Sequence, residues 1–235
     1  IKEFGDKEYW DERYEKDKKG RPHFDWYHGW YTLEPFLSKY LKREDCIMML
    51  GCGNSKLGED LNDNHYTNIV NIDFSEVLIE DMKQRTQGRT GLEYITMDGR
   101  HMTFANESFD SVFDKGTIDA VMCSDDDNSN ARMMIAEVAR VLRPGGFFIV
   151  MTYGSPESRL PILDVPSLGW TVHLRLVGTH SEANINECHY VYIMHKHQVA
   201  DSPTTAHIDP SKEVFDVYLN SSVGKIALEV TPIVK

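Results

Sequence analysis

The sequence predicts an α/β protein of Rossmann-like type, in which parallel strands alternate with helices on both faces of the sheet. The apolar run Ile47–Leu50 ends in a Gly-x-Gly turn at Gly51 and Gly53. A second run, Asn68–Ile72, ends in an acid, Asp73. A strand that leads into a glycine turn, followed by a strand with a carboxylate at its end, is how such sheets hold a nucleoside.

Further apolar runs extend this alternation through the middle of the chain. A helix with a 3.6-residue apolar period is predicted over residues 130–142, and the breaker Arg143-Pro144-Gly145-Gly146 ends it. Strands are predicted at residues 92–97, 109–114 and 147–152. Strands that alternate with helices imply a parallel, doubly wound sheet.

The last two predicted strands of the sheet follow each other without a long helix between them. They cover residues 170–176 and 188–194, and we expect them to close the sheet as an antiparallel pair. Beyond residue 196 the pattern weakens. Two short strands at 214–219 and 226–230 are either a strand pair added to the sheet edge or the start of another module.

The first 45 residues predict a helical cap rich in aromatic side chains. Trp10 and Tyr14 are four residues apart, so they share one helix face. Aromatic faces attract cations, and we expect some of these rings to close over a cationic ligand while others pack on the sheet.

The acids and glycines at the strand ends predict an adenosine-containing cofactor. Gly51 and Gly53 let the backbone approach the ligand closely, and Asp73 accepts hydrogen bonds from the ribose hydroxyls. Asp98, after the third strand, accepts from the adenine amine. A dinucleotide fingerprint has a third glycine where this chain has Lys56, which counts against an NAD-dependent oxidoreductase.

Together, these acids and the helix-Arg-Pro-Gly-Gly-strand unit resemble the class I S-adenosylmethionine-dependent methyltransferases over roughly residues 3–197. The strings at residues 3–10, 51–55, 69–75 and 114–120 resemble, more narrowly, the methyltransferase-like subfamily that modifies translation elongation factor 1-alpha. The resemblance implies a seven-stranded sheet, S-adenosylmethionine as cofactor with S-adenosylhomocysteine as product, and that elongation factor as protein partner. It leaves residues 198–235 as a C-terminal extension of unknown role.

The resemblance also implies roles for individual residues. Asp114 faces the incoming amine, and either Asp114 or Tyr27 takes up its proton. The cofactor-binding set is Trp10, Tyr14, Trp26, Gly51, Gly53, Asp73, Phe74, Met97, Asp98 and Lys115. The string Asp114-Lys115-Gly116-Thr117 stands where base methyltransferases carry Asn/Asp-Pro-Pro-Tyr/Phe, which argues against methylation of nucleic acid bases.

Composition further narrows the possible functional classes of this protein. The chain has 235 residues, 41% of them hydrophobic, and no apolar run approaches the length of a membrane span. The formal charge of −12 argues against a nucleic-acid partner, since wide phosphate binding needs a basic face. The four cysteines form no C-x-x-C pair, so we expect reduced thiols and a cytoplasmic location. No cluster with metal-ligand spacing accompanies His195-Lys196-His197, and no metal site is predicted.

The leading functional hypothesis is therefore a protein-lysine N-methyltransferase. A small-molecule or N-terminal amine methyltransferase and a cofactor-binding scaffold without turnover stay open as alternatives. The acidic loop Ser124-Asp125-Asp126-Asp127 is either a solvated loop or a guide for a basic substrate segment.

Overall fold

A computed structural model of the protein describes residues 2–18, 20, 23–178 and 189–198, together with the backbone of strands at 215–221 and 224–230. The strands in these parts of the chain are β1 Ile47–Leu50, β2 Ile69–Asp73, β3 Leu92–Thr96, β4 Phe109–Lys115, β5 Leu142–Thr152, β6 Trp170–Gly178, β7 His189–Lys196, β8 Phe215–Ser221 and β9 Gly224–Val230. The α-helices are α1 Lys7–Asp17, α2 Trp30–Leu37, α3 Leu57–Asp63, α4 Glu76–Arg85, α5 Thr117–Val121, α6 Ser129–Val141 and α7 Pro156–Leu163. Short 3₁₀ turns occur at Lys2–Gly5 and Pro166–Leu168.

The described strands form one sheet in the order β3-β2-β1-β4-β5-β7-β6-β8-β9. Strands β1 to β5 run parallel to one another. Strand β7 lies antiparallel between β5 and β6, where Ile193 pairs with Ile149 on one side and with His173 on the other. The predicted parallel sheet with an antiparallel closing pair is confirmed.

Helices cover both faces of the sheet, so each central strand divides its side chains between two cores. In β1, Met48 and Leu50 join a core that includes α6 and α7. Ile47 and Met49 join the opposite core, which includes α2 and α3. All four side chains are buried, which explains why this strand is continuously apolar rather than alternating.

Strand register brings the ends of β1 to β4 together at one edge. Leu50 pairs with Ile72 and with Asp114, and Asp73 pairs with Thr96. The loops that follow these four strands therefore meet at the carboxyl edge of the sheet, which is where ligands bind in open α/β sheets.

Strand β5 begins earlier than the sequence predicts. Helix α6 ends at Val141, as the breaker indicates, but the chain continues as an extended strand from Leu142 rather than from Phe147. The reason is tertiary: Leu142 already pairs with Phe109 of β4, and a register shift follows before Phe147 pairs with Ser111.

Both ends of the chain add to the central sheet. Trp10 and Tyr14 are buried on one face of α1 with ring centroids 5.7 Å apart, as their spacing predicts. At the other end, β8 pairs in parallel with β6 and β9 pairs antiparallel with β8, so the backbone favours the added strand pair over another module. A division into a methyltransferase domain at 1–197 and an extension at 198–235 stays a prediction. Cys188 lies outside the described residues.

Candidate active site

A cavity of about 370 Å³ lies at the carboxyl edge of the sheet, between the strand ends and the N-terminal region. This volume is in the range of small-molecule sites. All the residues that the sequence assigns to the cofactor line this cavity: Trp10, Tyr14, Trp26, Gly51, Gly53, Asp73, Phe74, Met97, Asp98 and Lys115. Tyr27 lines the cavity as well. The exception among the predicted site residues is Asp114, which lies behind the cavity wall.

The two glycines of the turn are needed for different reasons. Gly51 has φ +61° and Gly53 has φ +53°, a region that side chains disfavour. A Cβ on Gly51 would lie 2.2 Å from Oγ1 of Thr117, so this position lets the turn pack on α5. A Cβ on Gly53 would approach the Tyr14 hydroxyl at 3.4 Å, so this glycine keeps the turn open beside a ring of the cavity wall.

Asp73 has the geometry of a ribose-binding carboxylate. One carboxylate oxygen accepts the backbone N–H of Gly53 and the other accepts that of Ser75, each at 3.0 Å. Each oxygen keeps a further lone pair for a hydroxyl donor. Burial raises the pKa of Asp73 to about 6, and the backbone hydrogen bonds act in the opposite direction.

Asp98 is already engaged within the protein. The Arg100 guanidinium donates to both of its carboxylate oxygens, at 2.7 to 3.1 Å. Burial acts to raise the pKa of Asp98, but the hydrogen bonds from Arg100 hold it below its ordinary value. An adenine amine at Asp98 therefore has to share this carboxylate with Arg100.

An internal cation occupies part of the aromatic wall. The Arg13 guanidinium lies 5.3 Å from the ring centroids of Trp10 and Phe24 and 5.2 Å from that of Trp26. Such distances are those of cation–π contacts. Three of the aromatic rings, some of which are expected to close over a cationic ligand, thus contact the side chain of Arg13.

Residues 23–29, which we call the strap, cross the carboxyl edge and close one side of the cavity. Its Asp25 accepts a hydrogen bond from Lys115 Nζ at 2.9 Å and another from the Ser55 hydroxyl. Lys115 Nζ also donates to the carbonyl of Trp26 at 3.0 Å. Burial lowers the pKa of Lys115, while Asp25 opposes that shift. In this structure the Lys115 ammonium thus fastens the strap to the end of β4.

His28 fastens the other end of the strap to the antiparallel strands. Its Nε2 lies 3.0 Å from Nδ1 of His189 on β7, and its imidazole also hydrogen-bonds the backbone of Val177 on β6. Burial, and then the neighbouring His189, lower the pKa of His28 to about 4. Both contacts therefore involve a neutral imidazole at neutral pH.

Tyr27, between these anchors, is held by a carboxylate that the sequence analysis missed. Its hydroxyl donates to Asp119, and its backbone has φ +61°. Burial, followed by the charge of Asp119, raises the pKa of the Tyr27 phenol well above its ordinary value. The hydroxyl of Tyr27 thus already donates its proton within the protein, and uptake of the substrate proton by Tyr27 stays a prediction.

The expectation that Asp114 faces the incoming amine is wrong. Its side chain is fully buried, and its carboxylate accepts the backbone N–H groups of Thr117 and Ile118 at 2.8 to 3.3 Å. Burial raises the pKa of Asp114 well above its ordinary value. The side chain therefore holds the first turn of α5 and does not face the cavity, so it is not placed to meet a substrate amine.

Asp119 and the two residues that donate to it carried no separate signal in the sequence. Asp119 lines the cavity and accepts hydrogen bonds from the Thr152 hydroxyl and the Arg159 guanidinium. Asp119 lies in the Asp-Lys-Gly-Thr-x-Asp-Ala string, which was the one available clue. Thr152 and Arg159 are brought to it only by the end of β5 and by α7.

The remaining polar motifs have local partners. Asp125 accepts the backbone N–H of Asn130 at 2.8 Å and the Ser129 hydroxyl at 3.0 Å, so it holds the start of α6. The His195 ring stacks on Phe147 at 4.7 Å. Among the described residues, no three His, Cys, Asp or Glu side chains form a metal cluster, and no helix is long and apolar enough to cross a membrane.

Comparison with known proteins identifies the family. A methyltransferase domain model matches residues 48–150. The Bos taurus eEF1A lysine and N-terminal methyltransferase is 40% identical over 182 residues, which are 76% of this chain and 26% of that protein. The Mus musculus EEF1A lysine methyltransferase 4 is 32% identical over 197 residues, which are 80% of this chain and 74% of that protein.

Solved structures agree on the fold. A SAM-dependent methyltransferase from Methanosarcina mazei matches with a TM-score of 0.55 at 19% identity. The match covers 69% of this chain and 97% of the Methanosarcina mazei chain. An N-methyltransferase from Haemonchus contortus, solved with S-adenosylhomocysteine, has a TM-score of 0.61 at 13% identity and covers 83% of this chain and 60% of its own.

The fold is thus that of the class I S-adenosylmethionine-dependent methyltransferases. The chain belongs to the family of the eEF1A lysine methyltransferases. It spans about a quarter of the length of several relatives that it matches, including those from Bos taurus and Homo sapiens.

The residues present fit the cofactor of this family. The Asp73 carboxylate can accept from a hydroxyl donor beside its backbone hydrogen bonds, and Gly51 and Gly53 line the cavity next to it. When bound, S-adenosylmethionine supplies an electrophilic methyl group on a sulfonium.

Proposed function

We propose that this protein is a protein-lysine N-methyltransferase that acts on translation elongation factor 1-alpha. Support for the target comes from the relatives, which are named eEF1A lysine methyltransferase or eEF1A lysine and N-terminal methyltransferase. The same proposal assigns the cofactor contacts to Trp10, Tyr14, Trp26, Gly51, Gly53, Asp73, Phe74, Met97, Asp98 and Lys115.

One observation carries the proposal: a single cavity joins a nucleoside-type end to an aromatic, carboxylate-containing end. Asp73 and Gly53 form the first end. The strap residue Tyr27, together with Asp119 and the exposed ring of Tyr153, forms the second. A methyl donor and a long, flexible amine side chain that enters from solvent can therefore meet inside one cavity.

The amine must be neutral to react, which the site can favour. A free lysine has a pKa of about 10.4, so deprotonation at neutral pH costs roughly 4–5 kcal/mol. An apolar, aromatic environment lowers that cost because it disfavours the charged form. The enzyme then mainly aligns the nitrogen with the methyl group.

The test uses isotope-labelled S-adenosylmethionine, purified elongation factor 1-alpha and the full chain, with peptide mass spectrometry of the product. We expect label on one lysine, and none with the Asp73→Ala variant. Label on the amino terminus of the factor would redirect the proposal to the second activity in the name of the Bos taurus relative.

Two other outcomes separate the alternatives. Label on small molecules of a lysate, with none on protein, would favour a small-molecule amine methyltransferase. Bound S-adenosylhomocysteine without any transfer would favour a scaffold that does not turn over.

We include a cytoplasmic location in this proposal. Cys46, Cys52 and Cys123 are free thiols, which accords with a reducing compartment. Fractionation of cells that express a tagged chain tests it, with recovery in an organelle or secreted fraction as the contradicting result.

A further inference from the structure

Asp119 is a carboxylate of the cavity wall that the ribose and adenine contacts do not use. It is 7% exposed and lies on α5. One carboxylate oxygen accepts from Thr152 and Arg159, and the other accepts from the Tyr27 hydroxyl. Arg159 is 4% exposed, so an ion pair is enclosed at this end of the cavity.

This arrangement fixes the direction of the Tyr27 hydroxyl. Its proton points to Asp119, because an ionised carboxylate is acceptor-only. The remaining capacity of the phenolic oxygen is therefore that of an acceptor, and Tyr27 lines the cavity. A group that enters the cavity and approaches this oxygen has to be a hydrogen-bond donor.

The backbone around Tyr27 and Arg159 leaves room for these two side chains. Tyr27 itself has φ +61°, which is uncommon for an aromatic residue. Gly116 has φ +84°, and a Cβ there would approach the Tyr27 ring at 3.3 Å. A Cβ on Gly154 would lie 2.2 Å from Cζ of Arg159. Strained or cramped backbone of this kind concentrates at functional sites.

We propose that Tyr27 is the acceptor that orients the substrate amine, and that Asp119 and Arg159 are positioning residues that act through it. This inference rests on the proposed function. The neutral amine donates an N–H to the Tyr27 oxygen, which leaves its lone pair free for the methyl group. The N–C bond forms as the C–S bond breaks, and the electron pair of that bond stays on sulfur as the thioether.

The charge of Asp119 has a role in the same step. The nitrogen becomes positive as it is methylated, and a carboxylate directly behind the Tyr27 hydroxyl favours that change electrostatically. The surplus proton leaves to solvent after transfer. Tyr27 keeps its own proton throughout, so no base of matched pKa is required at this position.

The experiment compares Tyr27→Phe with wild type, using elongation factor 1-alpha and labelled cofactor. Loss of the acceptor should lower kcat roughly 10- to 100-fold, because the nitrogen that donates to it gains positive charge in the transition state. The Kd for S-adenosylhomocysteine should stay within about twofold of wild type, because the ribose end is untouched. Tyr31→Phe, on an exposed ring of α2, is the matched control and should leave both values unchanged.

The pH profile separates an orienting acceptor from a base, and the unchanged Kd for S-adenosylhomocysteine separates it from a structural role. We expect the rising limb of kcat to keep its midpoint in Tyr27→Phe, because Tyr27 does not titrate in the reaction. Disappearance of that limb would make Tyr27 the base and overturn the inference. A kcat within about twofold of wild type would overturn it as well.

A second variant tests the positioning pair. Asp119→Asn combined with Arg159→Gln replaces the ion pair by two neutral groups that can still hydrogen-bond, which guards against a fold lost through one unpaired charge. We expect kcat to fall with little change in cofactor affinity, and an unchanged kcat would remove Asp119 and Arg159 from the mechanism. If wild type transfers no methyl group, the proposed function fails and this inference fails with it.

Discussion

The two ends of the cavity are built in different ways. The nucleoside end uses strand ends and backbone groups close together in the chain: Asp73 binds Gly53, twenty residues away, and Ser75, two residues away. The aromatic, carboxylate-containing end depends on the strap. Asp25 of the strap hydrogen-bonds Lys115, 90 residues away, and Tyr27 hydrogen-bonds Asp119, 92 residues away. A local motif fixes the first end, whereas tertiary packing assembles the second.

The largest effect is expected from a substitution that disrupts the nucleoside end of the cavity. Asp73→Ala removes two acceptors for the ribose hydroxyls and should weaken S-adenosylhomocysteine binding by roughly 100- to 1000-fold. Asp73→Asn keeps one acceptor oxygen and should fall between alanine and wild type. Isothermal titration calorimetry measures all three affinities. Near-native affinity of the alanine variant would remove Asp73 from the site.

The next effect breaks the strap. Lys115→Met leaves Asp25 without its cation in a mostly buried position and should destabilise the fold by about 3 kcal/mol. Adding Asp25→Asn removes the unpaired charge and should restore most of that stability. Urea unfolding gives the two free energies. If the single and double variants unfold at the same urea concentration, Lys115 does not hold the strap through this pair.

The two glycines of the turn sharpen the comparison between packing and ligand surface. Gly51→Ala combines a disfavoured φ with a collision against Thr117, and should cost about 2–3 kcal/mol of stability. Gly53→Ala meets only the Tyr14 hydroxyl at van der Waals distance, so its cost should be about 1 kcal/mol. Urea unfolding tests the order, and a larger loss for Gly53→Ala would contradict it.

The smallest effect is a pH dependence that belongs to the nucleoside end alone. The pKa of Asp73 is raised to about 6, and the ribose hydroxyls donate to its ionised form, so binding releases a proton below that pH. Affinity for S-adenosylhomocysteine should therefore fall as pH is lowered through 6, by about 10-fold at pH 5. Titrations at several pH values measure this slope.

The Asp73→Asn variant is the control for this pH dependence and should show a much flatter profile. Without cofactor, the stability that Asp73 contributes has the opposite trend. Because its pKa in the folded protein lies above the ordinary value of 3.8, that contribution is fully present below about 3.8 and is lost as pH rises through about 6. A pH-independent affinity in wild type would contradict the raised pKa.

The sequence predicted the helices and strands of the sheet well wherever periodicity was strong. Helix α6 and strand β1 match closely because apolar spacing reports which face is buried. The start of β5 was missed, since only pairing with β4 extends the chain before Phe147. The role expected for Asp114 was wrong because a residue name does not reveal where its hydrogen bonds go: its carboxylate is buried against the start of α5.

The sequence by itself determined the class of fold and the family resemblance, and it predicted which residues line the cavity at the strand ends. Glycines, strand-end acids and apolar periods act over a few residues, so they are visible in the linear chain. Only the tertiary structure decided that Arg13 lies among the aromatic rings, that Lys115 holds the strap, and that Asp119 and Arg159 stand behind Tyr27. These contacts join segments that are distant in the chain, and their partners are selected by burial and charge pairing, which local patterns do not encode.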